Sequence, residues 1–217
     1  MAYFRLRRAI ELAAIDRPWV GELFMRNRFA KQKLTPPDGW DAEYEDGVYD
    51  RLLRSDQQHH HRLLASLVTE GRKDVSVLEI GCGEGAFWRV LRGRDDIAYR
   101  GVDFSKVAIE RAQQRFAADA SRAVFEVGDG RRYAAAARYD AVVFPEVIEY
   151  LGDIPSLLDH YAAALKPGGV IGVTMWLGLR PLRIWRQMQT HCRVVDQAVV
   201  HAAWGGAWLV AVLAPRD

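Results

Sequence analysis

The chain has 217 residues, 50% of them hydrophobic, with a net charge of +2 and two cysteines. That length supports one well-buried α/β core and excludes two full domains, and the near-balanced charge gives little footing for a nucleic-acid partner. Cys82 and Cys192 are far apart in sequence, which excludes a disulfide framework and a cysteine metal cluster and fits a reducing cytoplasm.

At the N-terminus Tyr3, Leu6, Ile10 and Ala13 recur at helical spacing, with Arg5 and Arg8 on another face. The pattern continues through Trp19–Met25 to Lys31 and Lys33, so two helices are expected. The basic residues Arg5, Arg7, Arg8, Arg17, Arg26, Arg28, Lys31 and Lys33 outnumber the acids there, which reads as an amphipathic cap with solvated charges; an anionic surface is the sharper alternative. Glu11 interrupts the apolar run and Asp16-Arg17-Pro18 ends it, so no export signal is expected. The late apolar stretch Ala207–Ala214 falls short of the ~20 residues a membrane helix needs. A soluble, cytoplasmic protein is expected.

Thr35-Pro36-Pro37-Asp38-Gly39 breaks the chain, and the acidic, aromatic segment from Trp40 to Asp50 follows. A helix is expected over about 49–70. His59-His60-His61 lie on it, and because consecutive helical residues point about 100° apart, the triplet is not expected to share one ion. No metal site is expected anywhere in the chain; one of the three histidines is expected to face a ligand.

Val77-Leu78-Glu79-Ile80-Gly81-Cys82-Gly83-Glu84-Gly85 is a strand-like run that ends in a glycine loop, and Ala86–Leu91 opens a helix after it. Tyr99–Asp103 reads as a second strand whose terminal acid suits the two hydroxyls of a ribose. Gly81, Gly83 and Ala86 also satisfy a dinucleotide fingerprint. Glu79, two residues before the first glycine, suits a cationic ligand and gives a pyrophosphate nothing, which favours a sulfonium cofactor over NAD. Ser105 is an expected N-cap for a helix carrying Val107, Ile109, Ala112 and Phe116. Strands follow near Ala123–Val127 and over Tyr139–Glu146. A helix is expected over Ile154–Leu165, then a turn through Lys166-Pro167-Gly168-Gly169 and a strand over Val170–Met175. The tail reads as a hairpin of Arg193–His201 and Trp208–Ala214 joined by a glycine-containing loop.

Glu79-x-Gly81-x-Gly83-x-Gly85 resembles the first motif of the class I S-adenosylmethionine-dependent methyltransferases, and the later segments agree with that family in order and spacing. The resemblance covers about residues 75–217. It implies a Rossmann-like α/β fold, a seven-stranded mostly parallel sheet ending in an antiparallel hairpin, with an N-terminal helical cap or lid over 1–60 and the methyltransferase domain over 61–217. S-adenosylmethionine is the implied cofactor and S-adenosylhomocysteine the product. The implied cofactor contacts are Glu79, Gly81, Cys82, Gly83, Gly85, Asp103, Phe104, Asp129, Gly130 and Pro145, with Asp129 expected on the adenine amino group.

Methyl transfer is an in-line displacement, so alignment and water exclusion are the protein's main work, and a base helps an oxygen or nitrogen acceptor. Glu146 and Tyr150 are the candidate catalytic residues, with Glu149 and Trp176 nearby in sequence. Pro145–Leu151 also resembles the Glu-x-x-Glu-His motif of metal-assisted members, but Tyr150 replaces the histidine. Trp176–Arg186 is basic and aromatic and offers a pocket wall. The expected substrate is a small molecule or a sugar-containing natural product, with no nucleic-acid partner. RNA or protein methylation, and a non-catalytic cofactor-binding partner protein, are the alternatives.

Overall fold

The computed structural model describes residues 9, 12, 13, 15, 37–53, 58–203 and 206–216. The basic residues expected to form an N-terminal cap lie outside the described residues, as do Trp204 and Gly205 of the expected hairpin loop. Seven strands form one sheet: β1 (Val75–Ile80), β2 (Ile97–Asp103), β3 (Ala123–Val127), β4 (Tyr139–Pro145), β5 (Leu165–Trp176), β6 (Cys192–His201) and β7 (Ala207–Pro215). Their order is β3-β2-β1-β4-β5-β7-β6, and only β7 runs antiparallel to its neighbours. This is the Rossmann-like arrangement expected from the sequence, hairpin included.

The order reverses between β1 and β4, whose carboxyl ends therefore flank the crevice where open α/β sheets take ligands. Both faces of the sheet are covered. Val75 and Val77 of β1 and Ala141 and Val143 of β4 meet the helices α2 (His59–Thr69), α3 (Trp88–Leu91) and α4 (Lys106–Arg115). Leu78, Ile80, Val142 and Phe144 point the other way, toward α5 (Ile154–Ala162) and α6 (Leu179–His191). Strands apolar on both faces are what a parallel sheet buried on both sides requires.

The helices carry their own start signals. Ser105 Oγ accepts the Ala108 amide at 3.1 Å and Asp153 Oδ2 accepts the Ser156 amide at 3.1 Å, each satisfying a donor that the first turn leaves open. On α2, Leu64, Ala65 and Val68 form the buried stripe, and Gly172 of β5 lets Leu64 and Val68 pack directly on the sheet. Truncating Leu64, which is fully buried, would cost about 2–5 kcal/mol.

Two local expectations differ from the structure. Residues 49–70 are not one helix: a 3-10 turn occupies Asp50–Leu53 and α2 begins only at His59. The Lys166–Gly169 turn lies inside β5, where the pairing register with β4 shifts and Gly168 takes φ +73°. Between β5 and β6 the chain is largely helix, because Leu182, Trp185 and Met188 recur at helical spacing and bury one face of α6. No helix among the described residues is long and apolar enough to cross a membrane.

Candidate functional site

A cavity of about 610 Å³ opens at the carboxyl ends of β1, β2 and β4. Its floor is the glycine loop after β1. The Gly81 and Cys82 amides donate to Val102 O at 2.7 and 3.1 Å, which folds the loop back over the end of β2. Asp103 completes the clamp, accepting the Gly83 amide on Oδ2 at 2.7 Å and the Ser105 amide on Oδ1 at 2.9 Å. Burial raises the Asp103 carboxyl above its ordinary range against the pull of those amides.

Glu79 lines the cavity yet is only 2% exposed. It accepts the Tyr99 hydroxyl, and burial, with Asp103 close by, pushes its carboxyl well above the usual carboxylate range. A buried acid in that state gains from a cationic ligand. Gly83, at φ +50°, is required for a second reason: a Cβ there would sit 2.5 Å from the Tyr44 hydroxyl, which rests on the loop.

The expected cofactor contacts divide. Glu79, Gly81, Cys82, Gly83, Asp103, Phe104, Gly130 and Pro145 all line the cavity. Gly85 does not: a side chain there would collide with Phe116, so this glycine serves packing. The Asp129 side chain is also absent from the lining. Its carboxylate is taken by Arg131, with Nε and Nη2 at 2.8 and 2.9 Å, and by Arg132 at 3.2 Å; the Arg131 bonds hold its carboxyl below the usual range. The adjacent Arg131 lines the cavity in its place, its guanidinium 5.3 Å from the Phe104 ring centroid.

The roof comes from the acidic, aromatic segment. Helix α1 (Pro37–Glu45) and the turn after it place Trp40, Tyr44, Tyr49 and Leu53 over the cavity. Asp41 Oδ1 accepts the Ser105 hydroxyl at 2.5 Å, and Arg111 donates to Tyr44 O at 2.8 Å. Tyr49 meets Tyr44 at a tilt, 4.8 Å between ring centroids, and donates to Glu43 at 2.5 Å. The edge of Trp40 packs on Tyr150, 5.4 Å between centroids.

Glu146, at the end of β4, stands on the opposite wall in a left-handed conformation, φ +56°. Its amide donates to Thr174 O at 2.8 Å, its Oε1 accepts Trp208 Nε1 at 2.7 Å and its Oε2 lies 3.0 Å from His60 Nε2. Burial would raise this carboxyl, but the His60 and Trp208 bonds win and hold it below the usual range. His60 lies flat on Trp208, 4.4 Å between centroids at 12°.

His61, 4% exposed, also lines the cavity, and burial together with His60 pushes its imidazole down to about 3. His60 and His61 converge, their centroids 4.3 Å apart, and each with Glu146 offers a ligand atom within 4.8 Å of the others. The three histidines do not all converge: the His60 and His61 side chains turn inward at the start of α2, while His59 stays exposed. Sequence reasoning missed His60 and Trp208. The histidine triplet was a visible signal, but Trp208 joins Glu146 only because β7 inserts beside β5. Tyr150, Glu149 and Trp176 line the cavity, as does Pro181 of α6; Arg183 is exposed on that helix.

A family model described as a methyltransferase domain matches residues 49–205. Among curated proteins, a malonyl-[acyl-carrier protein] O-methyltransferase of Magnetococcus marinus is 31% identical over 111 residues, 51% of this chain and 41% of that protein. The polyketide synthase component of lovastatin nonaketide synthase from Aspergillus terreus is 26% identical over 119 residues, 51% of this chain and 4% of that protein. The chain spans less than half the length of these relatives. Among solved structures, the N-methyltransferase NodS of Bradyrhizobium japonicum, in complex with S-adenosyl-L-homocysteine, aligns with a TM-score of 0.64 at 20% identity, covering 79% of this chain and 98% of that one. An S-adenosylmethionine-dependent methyltransferase of Geobacter sulfurreducens, also with S-adenosyl-L-homocysteine, gives 0.61 at 15% identity, covering 78% and 98%.

Proposed function

The chain belongs to the methyltransferase-domain family, within the class I superfamily whose cofactor is S-adenosylmethionine, and we propose that it methylates an oxygen or nitrogen of a small molecule or sugar-containing natural product. One observation carries the reading: the glycine loop, the buried acids Glu79 and Asp103, and the carboxylate of Glu146 all face one roofed cavity. The residues suit the cofactor. Glu79 and Asp103, raised by burial, become favourable anions when a cation and two ribose hydroxyls arrive, and Gly83 leaves the backbone open where a side chain would obstruct.

In this reading Gly81, Cys82, Gly83, Phe104, Gly130 and Pro145 shape the cofactor bed. Gly85 and Asp129 act at one remove, through packing and through Arg131. S-adenosylmethionine supplies an activated methyl group. Residues 1–60 act as cap and lid, with Trp40, Tyr44 and Tyr49 excluding water over the transfer line, since the methyl cation equivalent must meet only the intended nucleophile. Glu146 accepts a hydrogen bond from the acceptor's O–H or N–H and turns its lone pair toward the methyl carbon; Tyr150 borders the acceptor. A roofed cavity of this size favours a small acceptor over an RNA or a folded protein.

The test is consumption of methyl-labelled S-adenosylmethionine against a panel of small alcohols, amines, sugars and amino sugars, with an acyl-carrier thioester, RNA and histone-like protein as contrasts. Label entering one small-acceptor class supports the reading. Label entering only RNA or protein contradicts it.

A further inference from the structure

We propose that His60, His61 and Glu146 form a binding site for one divalent transition-metal cation on the acceptor side of the cavity. His61 lines the cavity, and neither ring nitrogen has a hydrogen-bond partner among the described residues, although the side chain is nearly fully buried. A buried imidazole without a protein partner calls for a ligand. The three side chains each present one donor atom within 4.8 Å of the others. His60 Nε2 and Glu146 Oε2 already stand 3.0 Å apart. Donors ~2.1 Å from one metal stand ~3.0–3.4 Å apart, so the cation would replace the His60–Glu146 hydrogen bond and His61 must close the remaining gap.

The donor set is also chemically apt: two imidazole nitrogens and a carboxylate oxygen are all ordinary ligands of divalent transition metals. Trp208 Nε1, bonded to the other Glu146 oxygen at 2.7 Å and stacked under His60, fixes two of the three ligands in place, as outer partners of metal sites do. Two imidazoles and one carboxylate select zinc, manganese, iron or cobalt over magnesium or calcium, and they leave coordination positions open toward the cavity.

The site rests on the methyl-transfer reading only for its chemistry. With the metal bound, Glu146 would serve as its ligand instead of meeting the acceptor directly, and an acceptor hydroxyl at an open position would be acidified and release its proton to water. Its oxygen then forms the bond to the methyl carbon as the carbon–sulfur bond breaks, and S-adenosylhomocysteine leaves.

The experiment reads metal binding alone, without cofactor or acceptor, so its failure leaves methyl transfer standing. Full-length protein stripped with chelator is titrated with Zn²⁺ by calorimetry and with Co²⁺ by visible absorption. One equivalent is expected to bind to the wild type. His61→Phe should weaken binding at least about 100-fold, and Glu146→Gln, which keeps the side-chain shape, should do the same if His61→Phe fails to fold. His59→Ala, altering the exposed neighbour, should bind as wild type. No binding by the wild type, or loss in His59→Ala with retention in the other two, would overturn the proposal.

Discussion

Asp103 Oδ2 accepts the Gly83 amide at 2.7 Å, so the acid ending β2 holds the glycine loop that ends β1. One side chain thus shapes the cofactor bed and, on our reading, offers its remaining lone pairs to the ribose. Asp103→Ala is expected to weaken S-adenosylhomocysteine binding by about 1.5–3 kcal/mol, roughly ten- to a hundredfold, through lost charge-assisted hydrogen bonds. Calorimetry reads this directly, and unchanged affinity would remove Asp103 from the site.

Glu79 gives a pH-dependent prediction. Its folded-state carboxyl is raised above the unfolded value by burial, so the empty protein loses stability as pH rises above the ordinary glutamate range, the opposite of a salt-bridged acid. A cationic ligand lowers that carboxyl again. Binding should therefore release protons, visible as a calorimetric heat that depends on buffer ionisation enthalpy. Glu79→Gln should abolish the proton release, raise the melting temperature of the empty protein at alkaline pH and weaken cofactor binding. Proton release that survives in the variant would assign it to another group.

How much of this was readable in advance follows from how local each signal is. The glycine loop, the Ser105 cap and the apolar runs of β1 and β4 are written in neighbouring residues, whereas the seven-stranded sheet came with the family resemblance. Glu79, Asp103 and Glu146 stand at or beside the carboxyl end of a strand, and all three line the cavity. Asp129 was misplaced because Arg131, two residues on, competes for its carboxylate, and sequence spacing does not say which partner wins. The His60–Glu146–Trp208 cluster joins residues from α2, β4 and β7, and no local pattern announces a contact made by sheet topology.

The lid should order around ligand. Tyr44 and Tyr49 reach the glycine loop and the cavity, and polar bonds to Ser105, Arg111 and Glu43 help to hold their segment. Amides at 40–53 should gain hydrogen-exchange protection when S-adenosylhomocysteine binds, and Tyr49→Ala should raise the cofactor and acceptor constants together. Equal exchange with and without ligand would make the segment a permanent cap.

Glu146→Gln keeps shape while removing charge from a carboxylate held between His60 and Trp208. A fall in kcat of about 10²–10⁴, with S-adenosylhomocysteine affinity kept within a few fold, is expected if Glu146 serves the acceptor rather than the cofactor. A wild-type rate would leave alignment alone as the mechanism.

Calorimetric titration of the wild-type chain tests the central claim most directly. S-adenosylmethionine and S-adenosylhomocysteine should each bind at one-to-one stoichiometry while NAD gives no heat of binding, because the bed is lined by Glu79 and Asp103, acids that favour a cation and oppose a pyrophosphate. Binding of NAD in preference to both would contradict the account.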